Sequence, residues 1–532
     1  MNLDTFLRHH GLARNPFDAE EARYDPVFEK LMDGPGGHPD FNKILGRLDR
    51  PSTAVVFGEK GSGKTAIRLT IAKRVAEHNA ANPTQQTLVI AYDDLNPVLD
   101  RLTHRRRSEL GFHRAAKSEP EELLRSIRLQ DHQDAILSQA VTRVVDALIE
   151  SEDASGEHAL RLPGQPAAIA KSLPYSRRVD LAALAALYDQ PRSGAVAQRW
   201  ERLRTRLRLS RLPMFKLLGA ATVLWLITAA ALGGMARFGS EQLTLKATLA
   251  AVAGVMALLT GAAWLKRLAR SWSLARAVRR DLVAVDREPS DLRAMLLDFP
   301  PAQFQTVPWP RAGEQDARYE LTRKLLAILE PLGYRHILVL VDRVDEPTLV
   351  HGRTERMKPI IWPMFDHKFL QQERIGIKLL LPIELRHELH RESASFFQEA
   401  RMDKQSMIDR LSWSGATLYD LASARMRVCR ASAGSTAAGD TPPSGAVAGA
   451  GSTPSLMDLF AQDVTREVIV DALDQMHQPR DAFKFLYQVL MEHCTTVSDE
   501  QGQYRVPRLT LETVRRQQSQ RVQDLSRGVA PA

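Results

Sequence analysis

Thr53-Ala54-Val55-Val56-Phe57-Gly58-Glu59-Lys60-Gly61-Ser62-Gly63-Lys64-Thr65 is the stretch on which the fold turns. Residues 53–57 read as a buried strand. Gly58 to Thr65 match the pattern GxxxxGK[ST], and 66–77 is patterned as a helix with Ile67, Ile71 and Val75 on one face. Strand, glycine loop and helix is the context in which this pattern binds phosphate. Glycines let the backbone approach the phosphates where a Cβ would collide. The loop amides and the helix N-terminus favour an anion. Gly58, Glu59, Lys60, Gly61, Ser62, Gly63, Lys64, Thr65 and Ala66 are therefore the candidate nucleotide-binding residues. Lys64 would reach the β- and γ-oxygens of ATP or GTP, and Thr65 would hold Mg²⁺.

Such a loop needs a carboxylate from a second strand. Ile337-Leu338-Val339-Leu340-Val341-Asp342 supplies one, an apolar run ending in an acid. Ligands of open α/β sheets sit at the carboxyl ends of strands, which would bring Asp342 to Thr65 as the second metal residue. The position after Asp342, where a water-polarising carboxylate would be expected, is Arg343. The base would then be Asp345 or Glu346, with Glu346 favoured.

Between these halves lie two stretches without ionised side chains, 217–236 and 247–265. About 20 apolar residues span a bilayer core as a helix. Residues 202–216 and 266–280 carry twelve Lys and Arg and no acid, more than the net charge of +9 for the whole chain. That bias places both flanks, and both termini, on the cytoplasmic side of a membrane. Two crossings also return both halves of one site to the same side. The alternative is an Ala-rich buried hairpin in a soluble domain. The flanks would attract anionic headgroups. Because they account for the basic excess, the charge does not argue for nucleic acid. Trp264, at a span end, reads as an interfacial anchor, and His104-Arg105-Arg106-Arg107 as a solvated loop.

The two cysteines, Cys429 and Cys494, are far apart and lack ligand spacing, which suits a reducing compartment. The first residues show no basic segment followed by an apolar core, so no signal peptide is expected. Further strands are expected at 87–92 and 375–381, the latter stopped by Pro382. Helices are expected at 131–150, with Leu137, Val141, Val144 and Leu148 on one face, and at 180–188 and 318–330. Together these predict an α/β, doubly wound parallel sheet interrupted by an insertion. The expected segments are a lead-in (1–50), a first half (51–150), a membrane-proximal insertion (151–212), a hairpin (213–265), a return segment (266–310), a second half (311–430), an Ala/Gly/Ser/Thr/Pro linker (431–453) and a C-terminal helical region (454–532). His387-Glu388-Leu389-His390 lacks zinc-protease spacing and reads as a polar helix face, and Trp362 and Trp413 read as core packing.

The glycine loop, the Asp342 strand and the apolar pair between them resemble the KAP family of P-loop NTPases, whose transmembrane helices interrupt the NTPase domain. The likeness covers architecture over about residues 50–430, with specific motifs only at 58–65 and 337–346. The family's acidic cluster is usually Asp-Asp-x-Asp-Arg, whereas this chain has Asp342-Arg343-Val344-Asp345-Glu346. The resemblance implies a membrane-anchored, Mg²⁺-dependent NTPase, a homo-oligomer or protein partner, and a signalling or phage-defence switch. Gly11 to Phe17 and Tyr24 to Phe28 look like the lead-in of AAA-type and STAND-type ATPases, or a loop pinned by Phe17. Gln478-Pro479-Arg480-Asp481 resembles their lid-helix motif, which would make Arg480 a γ-phosphate sensor, with Arg410 and Arg425 as alternative cations. A non-hydrolysing membrane scaffold and a DNA-handling initiator-type ATPase are the competing functions.

Overall fold

The computed structural model describes residues 1–32, 37–110, 120–150, 159–191, 195–209, 214–238, 243–299, 307–310, 316–430, 455–498 and 502–526. The segment 431–453, expected as a linker, lies outside them. Five strands, β1 (Ala54–Gly58), β2 (Gln86–Tyr92), β3 (Tyr334–Val341), β4 (Ile375–Pro382) and β5 (Ser406–Ile408), form one parallel sheet in the order β2-β3-β4-β1-β5. Four of them were expected. β5 was not, because three residues are too short to show a period. β1 and β4 are buried at every position, as strands covered on both faces must be. Their register pairs Ala54 with Lys378 and Gly58 with Pro382. The carboxyl ends of β1 and β4 therefore finish level, and β4 separates β1 from β3. Lys378 is the polar exception in β4. Its amine donates to the Ser52 carbonyl at 2.7 Å, and burial lowers its pKa to about 8.

The chain forms two compact units. The first comprises Met1–His78, Leu340–Glu346 and Gly376–Ala532. The lead-in and the C-terminal helices, expected as separate segments, share one core there. Phe6, Leu12 and Phe17 pack with Leu418, Met426, Phe485 and Leu490. Arg425 fixes this join. Its guanidinium meets Asp25 at 2.6 Å and donates to the Pro16 carbonyl at 2.6 Å, with both charged side chains 3% exposed. Arg425 is thus a structural ion pair rather than a phosphate-facing cation. Phe17 is buried, as expected for the pin of a loop.

The second unit comprises Asn79–Val339 and Pro347–Ile375. The helix Leu129–Ile149 was expected to be amphipathic, yet it is buried on almost every side. Its most deeply buried acid is paired internally. Asp134 takes two hydrogen bonds from Arg318, each 2.9 Å, and one from the Tyr188 hydroxyl at 2.9 Å. The helix Tyr175–Tyr188 begins five residues earlier than its apolar pattern suggested. His104 to Arg107 belong to the helix Asn96–Leu110 and not to a loop.

Two helices of this unit, Met214–Phe238 and Leu243–Asp281, are long and apolar enough to cross a membrane. Their large apolar side chains point outward, with Leu224, Ile227, Leu258 and Leu259 all more than 60% exposed. Within the chain the pair is thus exposed and not the buried hairpin of the alternative reading. Small residues let the pair approach closely. A Cβ on Gly261 would lie 3.3 Å from Thr222, and one on Gly219 3.2 Å from the Trp264 indole nitrogen. Trp264, at the span end, thus packs against the first of the two helices. The second helix does not end with its apolar run at 265 but continues to Asp281.

Candidate functional site

The glycine loop, the end of β3 and the C-terminal helices all lie in the first unit. Gly58 ends β1, and the helix Lys64–Ala81 starts inside the motif, with Ile67, Ile71 and Val75 buried as expected. Gly61 and Gly63 have φ of +93° and +94°, a region open to glycine at no steric cost. Ser62 is fully buried, and among the described residues its hydroxyl has no hydrogen-bond partner. Lys60 is exposed, and Ala66 sits half-buried in the first helical turn. The Lys64 amine donates to the carbonyls of Gly58 at 2.7 Å and Glu59 at 2.9 Å. Burial pushes its pKa below the ordinary lysine value, against the pull of Asp345, Asp342 and Glu384, while Arg480 adds to the depression.

Thr65 and Asp342, 277 residues apart in sequence, meet: the Thr65 hydroxyl donates to Asp342 Oδ2 at 3.0 Å. Asp342 is 1% exposed, and burial raises its pKa although Arg68 and Thr65 act in the other direction. Arg68 Nε reaches the same oxygen at 3.2 Å. A hydroxyl and a carboxylate side by side are hard oxygen donors of the kind Mg²⁺ takes along with waters and phosphates. Among the described residues no group of three or more His, Cys, Asp or Glu gathers as a metal site, and this oxygen pair does not need one.

Downstream of Asp342 the two candidate bases diverge. Arg343 adopts φ +59°, and its guanidinium forms an ion pair with Glu346. Asp345 instead is the carboxylate that acts most strongly on the Lys64 charge. Of the two residues left open by sequence, Asp345 is the one whose charge acts on Lys64, while Glu346 pairs with Arg343.

C-terminal residues complete the surroundings. Arg480 packs directly on the loop, since a Cβ on Gly61 would lie 3.0 Å from its own Cβ. The Arg480 Nε is buried with no hydrogen-bond partner among the described residues. It stands in the first turn of the helix Pro479–Thr496, beside Asp481, whose pKa burial raises. Arg410 and Gln478 both bind Glu59. Trp413, expected in the core, is half-buried and donates its indole N–H to the Ser62 carbonyl at 3.0 Å. His38 meets that ring edge-on, with centroids 4.9 Å apart. Sequence reading missed Arg68, Glu384 and His38, and named Gln478 only as part of the helix-start motif. Only Arg68 left a signal, as a charge in the helical row of Ile67, Ile71 and Val75. His387 to His390 close a short helix in which Leu389 is buried and Glu388 pairs with Arg391.

No protein-family model, curated protein or solved structure matches this chain.

Proposed function

We propose that this chain is a membrane-anchored, Mg²⁺-dependent nucleoside triphosphatase that uses ATP, with the C-terminal helices as its moving part. The observation that supports it most is the meeting of Thr65 and a buried Asp342 beside a glycine loop that carries Lys64. Neighbouring groups fit a phosphate. Lys64 and Arg480 are adjacent cations that an anion between them would stabilise. The orphaned Ser62 hydroxyl and Arg480 Nε are donors without acceptors.

In this reading Gly61 and Gly63 let the loop amides converge on the phosphates, and Lys64 leaves its carbonyls for the β- and γ-oxygens. Thr65 and Asp342 would hold Mg²⁺, which when bound neutralises charge on those oxygens. Asp345 orients the attacking water and takes its proton. Arg480 stabilises charge on the transferring phosphoryl group. The hairpin fixes the chain in a cytoplasmic membrane, with both termini on the inner side by the charge of its flanks. A signalling or phage-defence output, through a protein partner or a second copy, is what the KAP resemblance suggests.

Phosphate release by the detergent-purified full chain tests this. Wild-type protein should release phosphate from ATP in Mg²⁺, whereas Asp342→Asn and Lys64→Ala should lose at least about 100-fold. Wild-type protein that neither binds nor hydrolyses nucleotide would sink the proposal. The Arg343–Glu346 ion pair, at the place where a base is expected, favours a second reading, a nucleotide-binding membrane scaffold without turnover. Tight ATP binding without release would establish that one.

A further inference from the structure

Glu59 is the one carboxylate within the Gly58–Thr65 loop, and both its oxygens are engaged. Oε1 accepts from Arg410 Nη2 at 2.5 Å and Oε2 from Gln478 Nε2 at 2.9 Å. Gln478 is 4% exposed and stands at the position just before the helix Pro479–Thr496 without a side-chain capping bond, and its own Oε1 has no partner among the described residues. Two positions on, Arg480 presses on Gly61. The first turn of this helix therefore grips the loop at two points.

The main chain of Glu59 belongs to the same device. Its carbonyl, with that of Gly58, holds the Lys64 amine. A triphosphate needs that amine on its own oxygens, so nucleotide entry must withdraw Lys64 from residue 59. The side chain of Glu59 cannot stay fixed while its backbone reorganises about incoming phosphate. Its negative charge also opposes a polyanion a few residues away.

We propose that Glu59 is a positioning residue that clasps the loop to the helix Pro479–Thr496 through Gln478, with Arg410 as a second post, and that nucleotide entry opens the clasp. This deepens the nucleotide-binding reading and rests on it. The two oppose each other thermodynamically through the Glu59 carboxylate: removing its charge favours nucleotide, leaving that charge uncompensated disfavours it, and nucleotide loosens the helix.

The test uses full-length protein in detergent, a fluorescent ATP analogue for affinity, and amide hydrogen exchange of residues 479–496. Glu59→Gln should bind the analogue roughly 5- to 10-fold more tightly and show faster exchange in that helix without nucleotide. Arg410→Gln breaks the same ion pair but leaves the charge of Glu59 uncompensated. It should speed exchange equally yet weaken binding. Opposite signs of affinity with the same sign of exchange establish the clasp. Weakened binding in both variants would mean mere support of the loop and would overturn it, as would unchanged exchange in both. Exchange without nucleotide reads the clasp even if the wild type binds no analogue. That last result would defeat the nucleotide reading and, with it, the proposed opposition.

Discussion

Arg425 and Arg480 are both arginines near the C-terminal end of the chain, and either could have faced phosphate from sequence alone. Burial separates them. Arg425 is 2% exposed and closed in by Asp25, the Pro16 carbonyl and the Phe483 ring, whose centroid lies 4.6 Å away. Removing one partner of such a pair strands the other charge in a dry site. Arg425→Ala should therefore cost about 3–5 kcal/mol in denaturant unfolding, whereas replacing both partners by apolar residues should cost much less. A second residue-scale effect depends on pH. His132 is buried, its ring shared between the Tyr92 hydroxyl and the Ile360 carbonyl, and burial lowers its pKa from 6.5 to about 4. The folded state then resists a proton that the unfolded chain accepts. Stability from this group is complete above pH 6.5 and falls as pH drops toward 4, by about 3 kcal/mol for a shift of this size. His132→Gln should flatten the unfolding midpoint across that window.

Single elements show where reading a pattern succeeds. The strand before the glycine loop, the helix after it and the strand ending in Asp342 were legible because each carries a clear period or an unbroken apolar run. The helix Leu129–Ile149 was legible as a helix but not as a buried one. Its Asp134 looks like a solvent-facing residue until Arg318 and Tyr188 arrive from elsewhere. β5 and the contacts of Gly415 left no local signal at all. Gly415 opens the helix Gly415–Val428, and a Cβ there would lie 2.0 Å from the Val470 carbonyl oxygen. Gly415→Ala should thus force this helix off the helix Arg466–Asp474, lowering stability by about 1–3 kcal/mol and speeding exchange in both. In the apolar hairpin, Gly219→Leu should push against Trp264 and reduce the thermal stability of detergent-solubilised protein, with no loss of membrane association.

For the molecule as a whole, the proposal of a membrane anchor rests on two exposed helices long and apolar enough to cross a bilayer. The full chain should sediment with membranes and resist alkaline extraction. Arg placed at both Leu224 and Leu258, each more than 60% exposed, should release it, because a central Arg costs roughly 2.5–3.5 kcal/mol per span. Extraction of the wild type by alkali would count against a spanning hairpin.

The sequence by itself determined the glycine loop, the Asp342 strand, the two apolar helices and the basic flanks. These are local, being written in runs and spacings a few residues long. Only the tertiary structure decided that Thr65 and Asp342 share a hydrogen bond, that Glu346 pairs with Arg343, and that Arg425 is structural. The fold likewise brings Arg410 and Gln478 onto Glu59 across more than 300 residues of chain. Charge pairing and burial depend on which groups arrive from distant segments. No periodicity within one segment encodes that.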